Sequence, residues 1–267
     1  MSKRTNETAV TGSTIEIREC TTIDEFEQCI TLQRDVFGFP DIEVSPRRHF
    51  IVSRKSGGWV LGAFVKNELI GFVHQMAAVN DAEVYGYSHM LAVNRSFQNE
   101  GVGARLKWAQ RERALGEGRS LIRWTWEPLQ ARNAHFNLNR LGVVVRSYAI
   151  NFYGTDYSVP RDQRDSGPGI DSDRLFAEWE LGSERVEKLA SGATLDPFRT
   201  PVTTIEIPAN WYALIKDDPV GARREQLRVR SEFEEAFRDG LICSSFIRDP
   251  SHPRYLLYDE RPVTGDR

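Results

Sequence analysis

Apolar and polar residues alternate over residues 14–19, the period of a half-buried strand. Thr22 then precedes Ile23, Asp24 and Glu25, and the Thr-x-x-Glu spacing is a capping box that predicts a helix start. Ile23, Phe26, Ile30, Leu32 and Phe37 give that helix its core face, and Gly38 and Pro40 end it. A second helix is predicted over 46–54. Gly57 and Gly58 break the chain before an apolar strand over 59–65, and Asn67-Glu68 turns it into another over 69–79, a hairpin pattern. A further strand rich in aromatic and apolar residues runs over 85–93.

The period then lengthens. Residues 105–115 read as a helix with Leu106, Ala109 and Leu115 inward and its Arg and Lys outward, stopped by Gly116 and Gly118. A strand over 121–126, a short helix over 131–141 ending at Gly142 and a strand over 143–150 follow. Residues 155–172 hold Pro, Gly, Asp, Arg and Ser with almost no core formers and read as an exposed loop. Over 173–181, Leu175, Ala177, Trp179 and Leu181 alternate cleanly, so one face of that strand is expected to be buried. A polar connector with one helical turn spans 182–200. Beyond it come a strand over 202–207, a charged helix over 219–238 striped by Leu227, Phe233 and Phe237, and strands over 241–247 and 255–258. The order predicts an α/β (α+β) protein with a mixed sheet. It has a frayed tail (1–13), a main domain (14–181), a connector (182–200) and a small C-terminal βαββ extension (201–260).

Composition narrows the function classes. A formal net charge of −3 gives no general electrostatic reason to bind nucleic acid or an anionic membrane. No stretch approaches the roughly 18 apolar residues of a membrane span, and residues 1–13 contain no apolar run, so a cytoplasmic protein is expected. Cys20, Cys29 and Cys243 are too scattered for a zinc cluster or a redox pair, and the five histidines show no metal-binding spacing, so no metal is expected.

The segment between the strand over 85–93 and the following helix carries the chemistry. It reads Gln98-Asn99-Glu100-Gly101-Val102-Gly103-Ala104. Two glycines let a backbone approach a ligand closely, and the free N–H groups of a helix's first turn favour an anion such as a pyrophosphate. A P-loop needs GxxxxGK[ST], which is absent; a dinucleotide fingerprint needs a third glycine, also absent. A turn that uses glycine only for tightness is the bland alternative.

The run Leu91-Ala92-Val93 followed by Gln98-x-x-Gly101-x-Gly103 resembles the coenzyme A pyrophosphate loop of the GNAT acyltransferases, and the resemblance extends over residues 14–181. Glu127-Pro128-Leu129-Gln130-Ala131-Arg132-Asn133-Ala134-His135-Phe136-Asn137-Leu138 is similar to a run found in one branch of that family. The resemblance implies a GNAT fold with a splayed central sheet. It also implies acetyl-CoA or another acyl-CoA as co-substrate, and direct acyl transfer, acetyl or succinyl, to a primary amine of a small molecule such as an amino acid. By the same resemblance, Leu91, Ala92 and Val93 contact the pantetheine and Gln98, Asn99, Glu100, Gly101, Val102, Gly103 and Ala104 hold the pyrophosphate. Asn133 contacts the cofactor or caps its helix.

Proton-transfer roles do not carry over directly. Tyr87 stands near the position of the family's usual carboxylate base. His89, on a face expected to be shared with Tyr87, Leu91 and Val93, is the other candidate base. The family's usual acid, a helix tyrosine, falls at Leu138, leaving Tyr148 and Tyr153 as candidates. Arg123, Arg132 and Arg146 are candidate carboxylate readers or solvent-facing strand positions. A non-catalytic acyl-CoA-binding or sensor protein is the alternative. The extension is expected to cover the acceptor site, mediate a homodimer or act as an interaction module.

Overall fold

The computed structural model describes residues 9–10, 13–80, 83–156, 169–195 and 200–260. The chain divides into two compact units, Met1–Ile122 and Arg123–Arg267.

In the first unit, β1 (Ala9–Val10) and β2 (Ser13–Thr14) form a minimal antiparallel pair within and beside the tail expected to fray. β3 (Glu16–Glu19) leads into α1 (Ile23–Phe37). The capping box at Thr22 and Glu25 is formed, and Gly38 closes α1 in the left-handed conformation, its N–H donating to Arg34 O. α1 buries Phe26, Cys29, Ile30 and Leu32, but Ile23 is 56% exposed: its place in the first turn lies off the core stripe. α2 (Arg47–Lys55) follows Pro46.

β4 (Trp59–Val65) and β5 (Glu68–Asn80) form the hairpin the sequence predicts. Its turn has positive φ at both Lys66 and Asn67, the combination that matches strand twist. β6 (Glu83–Val93) completes an antiparallel order β3-β4-β5-β6. α1 and α2 cover one face of this sheet through Phe26, Phe50, Phe72 and Ala92. α3 (Val102–Gly116) covers the other through Val102 and Leu106, against Leu61, Ile70 and Val73.

The face of α3 differs from expectation. Lys107, Gln110 and Arg111 are buried, and Leu115 is exposed. Lys107 Nζ donates to Ser88 Oγ at 2.9 Å and to Gln110 Oε1 at 2.9 Å, while Gln110 Nε2 donates to Gln75 Oε1 at 3.0 Å. Polar side chains that satisfy one another occupy core positions, which a pattern of apolar residues cannot reveal. Burial pushes the Lys107 ammonium well below its usual pKa.

The second unit begins on β7 (Leu121–Trp126), which alternates as predicted and buries Trp124 and Trp126. α4 (Ala131–His135) continues into a π-helical turn over Phe136–Arg140. The strand expected over 143–150 shrinks to β8 (Tyr148–Ala149). Its first part serves two partners instead: Val144 bridges Glu178 and Val145 bridges Cys243. β9 (Arg174–Glu180) lies next to β8, with Leu175, Ala177 and Trp179 fully buried as expected.

In the loop expected over 155–172, residues 157–168 lie outside the described ones, and its end is not exposed. Asp171 and Ser172 are buried, because Arg230 reaches Asp171 Oδ2 at 2.6 Å and Gln226 exchanges hydrogen bonds with the Asp171 backbone. The connector contains a fuller helix than expected, α5 (Glu184–Ala190), anchored by buried Val186.

β10 (Thr203–Glu206), α6 (Trp211–Asp217), α7 (Pro219–Arg238), β11 (Leu241–Ile247) and β12 (Arg254–Asp259) form the βαββ region, with α6 as an addition. The sheet order is β10-β12-β11, antiparallel. α7 has the predicted bounds and an Asp218 cap. Its buried stripe is Ala222, Gln226, Val229, Phe233 and Ala236, with Leu227 42% exposed.

The C-terminal region is built into this unit. Trp211 Nε1 donates to Glu127 Oε1 at 2.8 Å, Tyr255 OH donates to Pro128 O at 2.6 Å, and Arg185 bonds both Leu138 O and Ser244 O. No helix among the described residues is long and apolar enough to cross a membrane.

Candidate active site

β6 positions the site, and it does so with an irregularity. Met90 pairs with His74 and Ser88 with Gln75, so His89 is an extra residue in the ladder. Such a bulge bends a strand and re-aims the side chains beside it. Leu91 and Val93 pack on the α3 face of the sheet. His89 points to the opposite face, its Nε2 3.2 Å from Ser45 Oγ and its ring against His49 and His74. The face expected to be common to His89, Leu91 and Val93 is therefore divided at the bulge. Tyr87, half-buried opposite Met76, lies on the far side of it.

Past Val93 the chain makes a short turn over Arg95–Phe97, held by Asn94 Oδ1 accepting from Ser96 N at 3.0 Å. Gln98 Nε2 donates back to Val93 O at 3.0 Å, tying the loop to the strand end. Asn99 (φ 66°) and Gly101 (φ 81°) are both left-handed. Exposed Glu100 stands between them. That conformation favours glycine at 101, where the chain turns into α3. Gly101 is the N-cap, and no side chain caps the helix. The N–H groups of Val102, Gly103 and Ala104 thus open α3 without intrahelical acceptors.

Gly103 differs in kind. A Cβ there would meet Leu91 and Val93 at 3.7 and 3.8 Å, ordinary contact, so packing does not demand glycine. Its bareness keeps the helix mouth low, as a close-lying phosphate requires. With the positive end of the helix dipole, which contributes about 0.3–1 kcal/mol per exposed charge, these free N–H groups favour an anion.

The remaining sequence candidates lie in the second unit. Asn133 is exposed on α4 and is not its N-cap, which is Gln130. Leu138, at the position expected of an acid tyrosine, is fully buried. Tyr148 OH donates to Asp173 Oδ2 at 2.7 Å; burial first, then the Asp173 carboxylate, pushes its phenol far above the usual range. Tyr153 is half exposed, its hydroxyl 3.5 Å from Thr125 Oγ1. Arg146 is surrounded by the carboxylates of Glu178, Glu180 and Glu260, which removes it from the candidate substrate readers. Cys20, Cys29 and Cys243 are free and buried; the hydrogen bond with Cys20 and then burial raise the Cys29 thiol, and burial raises Cys243.

Sequence reasoning did not bring His49, His74 and His89 together. Their ring centroids are 5.0, 5.0 and 5.5 Å apart. Burial lowers His74 to about 2 and His89 to about 4, each helped by neighbouring imidazoles, and burial alone lowers His49. All three are neutral at pH 7. Only the β5–β6 register, with His74 opposite the bulge, could have paired two of them in advance.

A strand, a bulge and an uncapped glycine-rich helix start together suit a phosphate-bearing ligand. Residues 23–142 match the family described as Acetyltransferase (GNAT) family, and this segment is a GNAT acetyltransferase domain. Among solved structures, the chain is similar to a GNAT-family protein from Desulfovibrio desulfuricans (TM-score 0.51, 14% identity, 63% of this chain and 99% of that one). It also resembles the ribosomal-protein-S18-alanine N-acetyltransferase from Escherichia coli (TM-score 0.49, 14% identity, 63% and 95%). A third is a GNAT family acetyltransferase from Elizabethkingia anophelis with acetyl-CoA bound (TM-score 0.47, 18% identity, 62% and 97%). No curated protein matches the sequence. The fold class is α/β, and the domain is that of an acetyltransferase.

Proposed function

We propose that the chain transfers an acyl group, acetyl in the first instance, from acyl-CoA to a primary amine of a small molecule such as an amino acid. The observation that carries this reading is the start of α3, with left-handed Gly101, bare Gly103 and no side-chain cap. Amide groups from Gln98 to Ala104 hold the pyrophosphate, and backbone groups of Leu91, Ala92 and Val93 hold the pantetheine. A backbone N–H aimed at the thioester oxygen stabilises the charge that develops there, a contribution of about 2.7–4 kcal/mol in comparable sites. The amine nitrogen bonds to the carbonyl carbon, the C–S bond breaks, and coenzyme A leaves as a thiol.

The attacking amine must first lose a proton. His89, held near 4, is a weak acceptor for an ammonium proton and faces away from Leu91 and Val93. We therefore assign that proton to solvent reaching the acceptor nitrogen. Tyr153 is the better candidate acid, because the Tyr148 hydroxyl is committed to Asp173. Asn133, exposed on α4, is assigned to the cofactor.

One observation favours a second reading, an acyl-CoA-binding sensor: buried Leu138 stands where an acid tyrosine is expected. Thiol release with acetyl-CoA or succinyl-CoA and a panel of amino acids separates the two. Release with any acceptor supports the transferase. Binding without release across the panel supports the sensor, and no binding of either acyl-CoA excludes both.

A further inference from the structure

We propose that His49, His74 and His89 form a binding site for a zinc-class divalent ion. One ring nitrogen from each lies within 4.8 Å of the others. Zinc–imidazole bonds are about 2.0–2.1 Å, and a ring centroid lies about 1.1 Å further out, so three imidazoles on one tetrahedral ion have centroids about 5.2 Å apart. The observed centroid distances of 5.0, 5.0 and 5.5 Å bracket that value. The rings meet at 69–86°, edge to face rather than stacked. Bringing the nitrogens to the roughly 3.3 Å separation of ligands on one ion takes ring movements of about 1 Å. His49, at the half-exposed surface of α2, and His89, on the bulge, are placed to make them.

The hydrogen bonds prepare the site. His74 is fully buried, and its Nδ1 has no hydrogen-bond partner. Its Nε2 lies 2.8 Å from Ser53 Oγ, whose own proton is directed at Gln75 O, 3.5 Å away. The Ser53 oxygen therefore accepts from His74 Nε2–H, which fixes the tautomer and leaves a lone pair on Nδ1. Fixing one ring nitrogen through an outer partner is the usual arrangement of a metal-ligating histidine. An orphaned, fully buried ring nitrogen otherwise carries a cost of about 1–3 kcal/mol.

Ser45 Oγ lies 3.2 Å from both His89 Nε2 and His49 Nδ1. With the ion bound, its oxygen accepts an N–H from each ring, which orients both and leaves the lone pairs on the opposite nitrogens, His89 Nδ1 and His49 Nε2. Three neutral imidazoles and no carboxylate select a borderline ion such as zinc over magnesium or calcium. Three protein ligands leave a fourth position for water.

The test uses the full chain, stripped with chelator, dialysed and titrated with Co2+ and Zn2+. One ion per chain is expected, with a visible ligand-field band for cobalt that zinc displaces. His49→Gln, at a half-exposed position that leaves the core intact, abolishes that band. Ser53→Ala weakens binding about 10–100-fold. Arg47→Gln, on the same helix, leaves it unchanged. Absence of stoichiometric binding by the wild type, or binding that survives His49→Gln, overturns the assignment.

Discussion

Gly101 and Gly103 serve the loop for different physical reasons, and substitution should separate them. At φ 81°, an alanine at Gly101 takes on a left-handed strain of about 1–2 kcal/mol. Gly101→Ala should therefore lower thermal stability and weaken acyl-CoA binding together. At Gly103 a methyl group finds ordinary contact distances. Gly103→Ala should leave the melting temperature nearly unchanged, and Gly103→Val should weaken acyl-CoA binding at least tenfold. Thermal unfolding and calorimetric titration check both, and equal loss of stability in the two alanine variants would contradict the distinction.

Also at this scale, Glu25 sets a pH dependence. Burial alone would raise its carboxyl, but the amides of Thr22 and Thr21, and then the Arg18 guanidinium, bring it down to about 2. For Asp171, burial is likewise outweighed by Arg230, Arg223 and Thr155, again to about 2. Folded pKa values below the unfolded ones add stability that is full above about pH 4.5 and lost as pH falls towards 2. The urea midpoint should decline over that window, and Glu25→Gln should flatten the decline while lowering stability at pH 7.

At the scale of elements, what was legible had local chemical cause. The Thr22–Glu25 box marks the start of α1, Pro219 behind Asp218 marks that of α7, and alternation fixes the buried face of β9. The glycine loop showed itself because close backbone approach leaves a residue-type signature. What stayed hidden depends on partners distant in sequence. The bulge at His89 inverts the faces of β6, and nothing in residues 85–93 marks where the extra residue falls. Lys107 and Gln226 are core residues only because Ser88 and Asp171 meet them. The histidine cluster needs three elements before it exists.

The contact between α7 and the residues leading into β9 depends on one buried ion pair. Asp173 is buried and accepts from Tyr148 and from Arg230, whose Nε lies 2.9 Å from Asp173 Oδ2. Arg230→Ala strands that carboxylate without its cation and should cost about 3–5 kcal/mol. Arg223→Ala leaves Arg230 in place for both aspartates and should cost much less. Denaturant unfolding of the two variants measures the difference.

At the scale of the molecule, the C-terminal βαββ region belongs to the compact unit that begins at Arg123. Tyr255, Phe246 and Phe233 form an aromatic cluster in it, and Tyr255 OH reaches Pro128 O. A chain ending at residue 200 should lose cooperative unfolding in this unit, seen as a depleted near-ultraviolet signal, because Trp126 loses Tyr255 and Trp211 is removed together with its bond to Glu127.

The central claim, acyl-CoA held at the start of α3 for transfer to an amine, is most directly tested by titrating the full chain with acetyl-CoA. A single site should appear that competes with free coenzyme A and weakens at least tenfold in Gly103→Val. Acetyl-CoA binding that is absent, or that is indifferent to Gly103→Val in a folded protein, contradicts it.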